Sequence, residues 1–309
     1  MKYLKKFCLL LALCLAAGCA HAEPVFEDLG RPFETLFSRK GEVWTDTTYR
    51  SENICLEITT QRVCESDAYV AQIWVRSAEC LRRAFGSGEW NASSEKLGTL
   101  AEENSAVLAL SGDNSHLLKA GYLVGNGQLW RSRGNQMRDL CVLYTDGTMK
   151  VYTAAPDHQQ MAQEMENGLI WQTFVFGPGL LDEQGKAMDD FSSSDVAPKN
   201  PRAAIGYYEP GHYCLVQVDG RGTESALEEK TSNRGLTLEQ TAQLMESLGC
   251  MAAYNLDGGQ SAAMWFNGKI ISTPYRGGRA VGDAIVICDA QEATKASEIY
   301  EVSLFEVAD

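Results

Sequence analysis

Cys214-Leu215-Val216-Gln217-Val218-Asp219-Gly220-Arg221 and Met251-Ala252-Ala253-Tyr254-Asn255-Leu256-Asp257-Gly258-Gly259-Gln260-Ser261 are the stretches that decide how this chain is read. Each is a short run of strand-forming residues that ends in aspartate and glycine. Between them a helix is predicted. Thr237 stands at a cap position with Gln240 three residues on, Leu238, Ala242, Met245 and Leu248 recur near one face, and Gly249 follows where a C-terminal glycine belongs. A strand–helix–strand unit of this length favours parallel strands whose C-terminal ends share one sheet edge. Asp219 and Asp257 are therefore expected to converge. A single Asp-Gly turn is common, but two in this arrangement read as an active site. In the second, Gly258 and Gly259 can adopt φ > 0 and turn N–H groups on an anion, with Asn255 and Ser261 adding an amide and a hydroxyl.

Upstream, Asn200-Pro201-Arg202-Ala203-Ala204-Ile205-Gly206 puts an arginine ahead of another apolar run, and a predicted strand over 106–110 ends in Ser111-Gly112-Asp113-Asn114. Residues 69–75 and 171–176 read as strands, 140–144 and 149–153 as a hairpin across Asp146-Gly147, and 94–103 and 158–167 as helices. The fold class predicted is α/β, a mixed sheet with flanking helices. It forms a single main domain over 67–289, with a small N-terminal extension over 23–66 and a tail or edge strand over 290–309.

The start of the chain points to export. Lys2, Lys5 and Lys6 precede the apolar run 7–17, and Ala20-His21-Ala22 is a small-x-small cleavage pattern, so 1–22 reads as a signal peptide and the mature chain as periplasmic, cell-surface or extracellular. The run is too short for a permanent membrane span. Cys19, preceded by Ala16-Ala17-Gly18, leaves open a lipid anchor on that cysteine. The formal charge is −14, and the signal would take three lysines and no acid with it, so no basic surface is on offer to nucleic acid.

Beyond the signal there are seven cysteines with no Cys-x-x-Cys pair, which speaks against a zinc ribbon or a thioredoxin-type site. Cys55 and Cys64 are placed to bridge a hairpin in an oxidising compartment, and small buried residues are the other reading. His116, His158 and His212 show no metal-ligand spacing. No cofactor is called for, with a divalent cation such as calcium left open. Ser261 has Gly259 two residues before it, but Ala263 replaces the second glycine of a nucleophile elbow. Carboxylates and arginines are what remain for chemistry.

Taken in order, Gly112-Asp113-Asn114, the 200–206 stretch, Val218-Asp219-Gly220-Arg221, Arg234-Gly235-Leu236-Thr237-Leu238 and the 255–261 loop resemble the motifs of the phosphodiester glycosidase domain, over about 69–288. Ser111 stands where that family usually has asparagine, Asn114 replaces an aromatic residue, and Gln260 a third glycine. The resemblance implies a hydrolase that cleaves a sugar from a glycosyl phosphodiester in a cell-envelope or extracellular glycan. It implies catalytic roles for Asp257, Asp219 and Asp113, and substrate binding by Arg202, Arg221, Asn255, Gly258, Gly259, Ser261 and Asn114. The residue types suit the reaction: arginine clamps phosphate oxygens bidentately, and a phosphate leaving group needs less help from a general acid than an ordinary glycoside does. A non-catalytic glycan-binding protein on the same fold, acting in polysaccharide assembly or attachment, is the alternative, since frames persist where chemistry is lost.

Overall fold

The computed structural model describes residues 22–115, 121–133, 139–153 and 156–289. The signal segment through His21, with Cys19 in it, and the tail 290–309 lie outside them.

The strands in chain order are β1 (Val43–Trp44), β2 (Thr48–Arg50), β3 (Ile54–Val63), β4 (Ser66–Val75), β5 (Leu81–Phe85), β6 (Leu108–Ser111), β7 (Gly121–Gly125), β8 (Gln128–Arg133), β9 (Leu140–Tyr144) and β10 (Met149–Tyr152). There follow β11 (Ile170–Phe174), β12 (Arg202–Glu209), β13 (His212–Val218), β14 (Thr223–Glu224), β15 (Ser232–Asn233), β16 (Ala252–Asn255), β17 (Met264–Phe266), β18 (Lys269–Ile270) and β19 (Asp283–Ile287). One sheet runs β1-β2-β3-β4-β13-β12-β16 and a second β18-β17-β6-β19-β5. Every pairing in both is antiparallel.

The expected α/β mixed sheet is thereby corrected to a mainly β fold in which two antiparallel sheets face each other and helices lie outside. Leu56, Ile73, Ile205 and Leu215 of the large sheet meet Leu108, Leu110, Phe266 and Ile285 of the second in the central core. On the large sheet's outer face Ala204, Val216 and Val218 are covered by Leu238, Ala242 and Met245 of the helix Leu238–Ser247. The helix Leu97–Glu103 covers Ala109, Trp265 and Ala284 on the other outer face. Each large apolar side chain so buried contributes about 1.5–3 kcal/mol, so strands sandwiched on both faces are held by their two cores more than by strand propensity.

Burial on both faces also explains the misreading. β13 is apolar at nearly every position, the pattern of a parallel strand, yet β12 turns straight back into it through Glu209-Pro210-Gly211. β16 then returns along the other side of β12. β13 and β16 do run the same way, as the intervening helix implied, with β12 between them. The helix itself forms as read, with Thr237 and Gln240 exchanging side-chain and backbone bonds in a capping box.

Residues 43–63 are not a separate extension. β3 pairs with β4 along ten residues, from Ile54 opposite Val75 to Val63 opposite Ser66, and β2 with β3, so they are part of the main sheet. Nor do Cys55 and Cys64 bridge. They stand at opposite ends of β3, roughly 30 Å apart at about 3.3 Å per residue, Cys55 buried opposite Trp74 and Cys64 exposed at the turn.

Candidate active site

β6 and β16 end side by side. The N–H of Asp257 donates to the carbonyl of Gly112 at 3.1 Å, tying the loop after β16 to the loop after β6. Against these loops lies the segment that leads into β19. Together they enclose a cavity of about 230 Å³ lined by Ser94, Gly112, Asn114, Asp257, Ser261, Arg279, Ala280, Val281 and Asp283.

Asp257 is its central charge. Arg279 donates from Nη2 to Asp257 Oδ2 at 3.0 Å and from Nε to Ser261 Oγ at 2.6 Å. The Asp257 side chain is 13 % exposed and that of Arg279 46 %, so the pair sits at the boundary between protein and solvent. Burial pushes the Asp257 carboxyl above its ordinary pKa. Bonds from Ser261 and Arg279, with the Arg279 charge, pull it down, and the charge of Asp283 pushes it up. Asn114 flanks the carboxylate with φ +49, its N–H held by Asp283 Oδ1 at 3.1 Å.

Asp113 is expected in the cavity and is not there. It is fully enclosed, and its oxygens accept from the N–H groups of Val175 (2.7 Å) and Phe176 (2.8 Å) and from Arg83 Nη2 (3.1 Å). Arg83 also grips Asp283, through Nε at 2.7 Å and through Nη2. A buried arginine thus stands between two buried carboxylates. Desolvation raises the Asp113 pKa to about 6, Arg83 opposing and Asp283 adding to the rise. Buried and held by these bonds, Asp113 ties the 111–115 loop to the end of β11 and does not line the cavity.

Asp219 is also buried, and accepts from Gln217 Nε2 and the Thr273 N–H, each at 3.0 Å. Burial raises its pKa. Asp219 and Asp257 emerge at the same edge, as expected, and both anchor the 272–281 segment. Their strands are two spacings apart, roughly 10 Å, and Asp219 does not line the cavity.

Arg202 corrects another expectation. Its register opposite Val218 turns it to the helix-covered face, where Nε donates to Leu236 O at 2.8 Å and Nη2 to Pro198 O at 2.6 Å and Ala197 O at 3.2 Å. Burial lowers its pKa to about 10. It staples the 197–202 loop to the start of the helix Leu238–Ser247 and does not line the cavity. Asn255 likewise turns away from the cavity, its Nδ2 donating to Gly177 O at 2.7 Å. The double glycine serves close approach, not an N–H nest: Gly259 N–H donates to Pro201 O at 2.9 Å, and a Cβ on Gly258 would stand 2.5 Å from that oxygen.

Arg221 lies beside Gly259, where a Cβ would come within 2.9 Å of its Nη2. It is exposed, bonded by Nε to Asn200 Oδ1 at 2.9 Å, and its guanidinium carbon is 5.3 Å from the centre of the Tyr275 ring. Arg276 lies 5.1 Å from the same ring. Among the described residues neither arginine has an acidic partner in an ion pair. Of the predicted set, then, Asn114, Asp257 and Ser261 line the cavity. The sequence reading missed Arg279, Asp283, Arg83 and Ser94. One signal for the first was present: Tyr275-Arg276-Gly277-Gly278-Arg279 is a basic, glycine-rich loop next to a strand. Among the described residues no three His, Cys, Asp or Glu side chains converge to hold a metal ion, and no described helix is long and apolar enough to cross a membrane.

The family described as phosphodiester glycosidase matches residues 101–288, every cavity residue but Ser94. An SPbeta prophage-derived uncharacterized protein of Bacillus subtilis (strain 168) is 30 % identical over 215 residues, 67 % of this chain and 32 % of that protein. The N-acetylglucosamine-1-phosphodiester alpha-N-acetylglucosaminidase of Mus musculus is 24 % identical over 165 residues, 50 % of this chain and 30 % of the enzyme. The chain thus spans about a third of the length of these relatives. The catalytic domain of the zebrafish enzyme of that name, auto-inhibited by its pro-peptide, has the same fold, with a TM-score of 0.59 at 19 % identity over 87 % of this chain and 95 % of the other. From its motifs, its fold and the match over 101–288, the chain belongs to the phosphodiester glycosidase family.

Proposed function

We propose that the chain is an exported hydrolase that releases a sugar from a glycosyl phosphodiester in a cell-envelope or extracellular glycan, with Asp257 as the reacting carboxylate. The observation that carries the reading is Asp257 at the wall of the 230 Å³ cavity, oriented at 3.0 Å by Arg279. Asp257 faces the anomeric carbon as nucleophile or as base for water. Arg279 keeps that carboxylate aimed and ionised. Arg221, beside Gly259, and Arg276, which shares the Tyr275 ring with it, receive in a protein of charge −14 the charge that grows on the departing phosphate. Because phosphate leaves without protonation, the reaction does not require a second free carboxylate, in keeping with the full engagement of Asp113. Export rests on the 1–22 pattern, and the activity for which the mouse relative is named makes N-acetylglucosamine-1-phosphodiesters the first compounds to try.

The test is release of free sugar by the purified mature chain from a panel of sugar-1-phosphodiesters, with and without chelator, beside Asp257→Asn. The proposal expects release by the wild type and none by the variant. The alternative, a non-catalytic glycan-binding protein, draws on the burial of Asp113 and Asp219 away from the cavity and on the engagement of Asp283, the other acid in its lining, with Arg83, which leaves Asp257 without a free partner acid. Binding of panel members without turnover would establish it instead.

A further inference from the structure

Cys214 on β13 and Cys250, just ahead of β16, bring their sulfurs to 3.6 Å. The strands they serve lie on either side of β12. On β12 the residue between them is Gly206, paired with Cys214 on one side and Ala253 on the other. A Cβ on Gly206 would stand 2.7 Å from the Cys214 sulfur and 2.6 Å from that of Cys250. The absent side chain is what lets the two thiols meet across the middle strand. We propose that Cys214 and Cys250 are a disulfide-forming pair, oxidised by a disulfide donor, and that the bond clasps together the two strands that lead to Asp219 and Asp257.

An S–S bond is about 2.05 Å long, so the sulfurs must close by roughly 1.5 Å. Cys250 is the entry point. It is buried, but its neighbours Gly249 and Met251 are exposed, Met251 by 52 %. A hydrogen bond from Cys214 holds the Cys250 thiol below its ordinary pKa, against burial, while the same bond and burial push Cys214 up. The Cys250 thiolate attacks one sulfur of the donor disulfide, whose S–S bond breaks and releases a donor thiolate. Cys214 then gives up its proton and attacks Cys250 Sγ in the mixed disulfide, expelling the second donor thiolate. Two electrons pass from the cysteine pair to the donor, and the two thiol protons end on the two donor thiols. The closed loop contains the Asp219 turn and the whole helix Leu238–Ser247, and a cross-link over that length restricts the unfolded chain strongly.

The experiment exposes the reduced, folded full chain to oxidised glutathione, quenches with an alkylating agent and maps the digest by mass. Exposed Cys64 will take up glutathione and shows that oxidation occurred. The expected product is one cross-linked peptide pair containing Cys214 and Cys250, with a melting temperature raised by roughly 5–15 °C and restored by dithiothreitol. Cys214→Ala and Cys250→Ala should each abolish cross-link and shift alike. Glutathione on Cys64 with both Cys214 and Cys250 still separately alkylated, or a cross-link to any other cysteine, would overturn the proposal, and the wild-type map decides this even if a variant folds poorly.

Discussion

Arg279 closes on Asp257 from across a glycine-rich loop, Nη2 to Oδ2 at 3.0 Å, while its Nε holds Ser261 at 2.6 Å. One guanidinium therefore fixes both polar groups that the Asp257–Ser261 loop presents to the cavity. Its positive charge also opposes the burial that raises the pKa of Asp257. Orientation and ionisation of Asp257, the carboxylate proposed to react, depend on the same side chain.

This sets the direction of a pH effect. In Arg279→Gln the carboxylate loses an opposing positive charge, so its pKa rises further, and a group that must be ionised to react becomes active only at higher pH. The acidic limb of kcat/KM should move upward, with a loss of about 10- to 100-fold at neutral pH. A pH–rate profile checks it. A limb that stays in place would mean that Arg279 does not tune Asp257.

Asp257→Asn separates stability from turnover. A carboxyl whose folded pKa is raised contributes stability that is present below its unfolded pKa, near 3.9, and lost as pH rises through the folded value. At pH 7 ionised Asp257 is thus a net cost to folding, and the near-isosteric amide should melt no lower than the wild type while turnover falls by orders of magnitude. The melting difference should shrink on acidification toward pH 4. Thermal scans across pH, run beside the assay, check both halves, and a variant that melts well below the wild type at pH 7 would contradict the first.

How much of this was legible in sequence differs from residue to residue. The helix Leu238–Ser247 with its capping box, the Asp146-Gly147 hairpin and the shared edge of Asp219 and Asp257 could all be read, because each rests on local signals or on chain direction. The interposition of β12 could not, since it depends on which edge β16 joins and leaves no local trace. Arg202 shows the same limit at one side chain: its position beside the motifs was plain, but only the register opposite Val218 shows that it points to the helix side. Asp113 looked like Asp257 because both follow a strand, and what separates them is Arg83, distant in sequence and lodged between two carboxylates.

Arg202→Lys follows from that register. Lysine can replace one charge-assisted bond but not the set to Leu236, Pro198 and Ala197, and it leaves buried carbonyls unpaired at roughly 1–3 kcal/mol each. A destabilisation of about 2–4 kcal/mol is expected, with KM for a phosphodiester substrate nearly unchanged well below the melting temperature. A raised KM in a variant of normal stability would return Arg202 to the substrate.

Charge arithmetic orders the last set of variants. Arg83, Asp113 and Asp283 form a buried group of one positive and two negative charges. Arg83→Met leaves two carboxylates facing one another without a counter-charge, and breaking a buried pair in this way costs about 3–5 kcal/mol. Asp113→Asn leaves Arg83 paired with Asp283, a balanced arrangement, and should cost much less. The pH dependence follows from Asp113, whose pKa is raised to about 6. Its favourable contribution is complete below about pH 3.9 and lost as pH rises through 6, so the wild type should lose stability over that interval relative to Asp113→Asn, in which the slope flattens. In Arg83→Met the lowering influence of the arginine on Asp113 is gone, Asp113 holds its proton to higher pH, and the deficit against wild type should be largest at neutral pH and smallest near pH 4. Melting temperatures of the three proteins between pH 4 and 8 check the order. A deficit in Asp113→Asn equal to that in Arg83→Met at pH 7 would show that the hydrogen bonds from Val175 and Phe176 to Asp113, rather than the balance of charge, hold this part of the fold together.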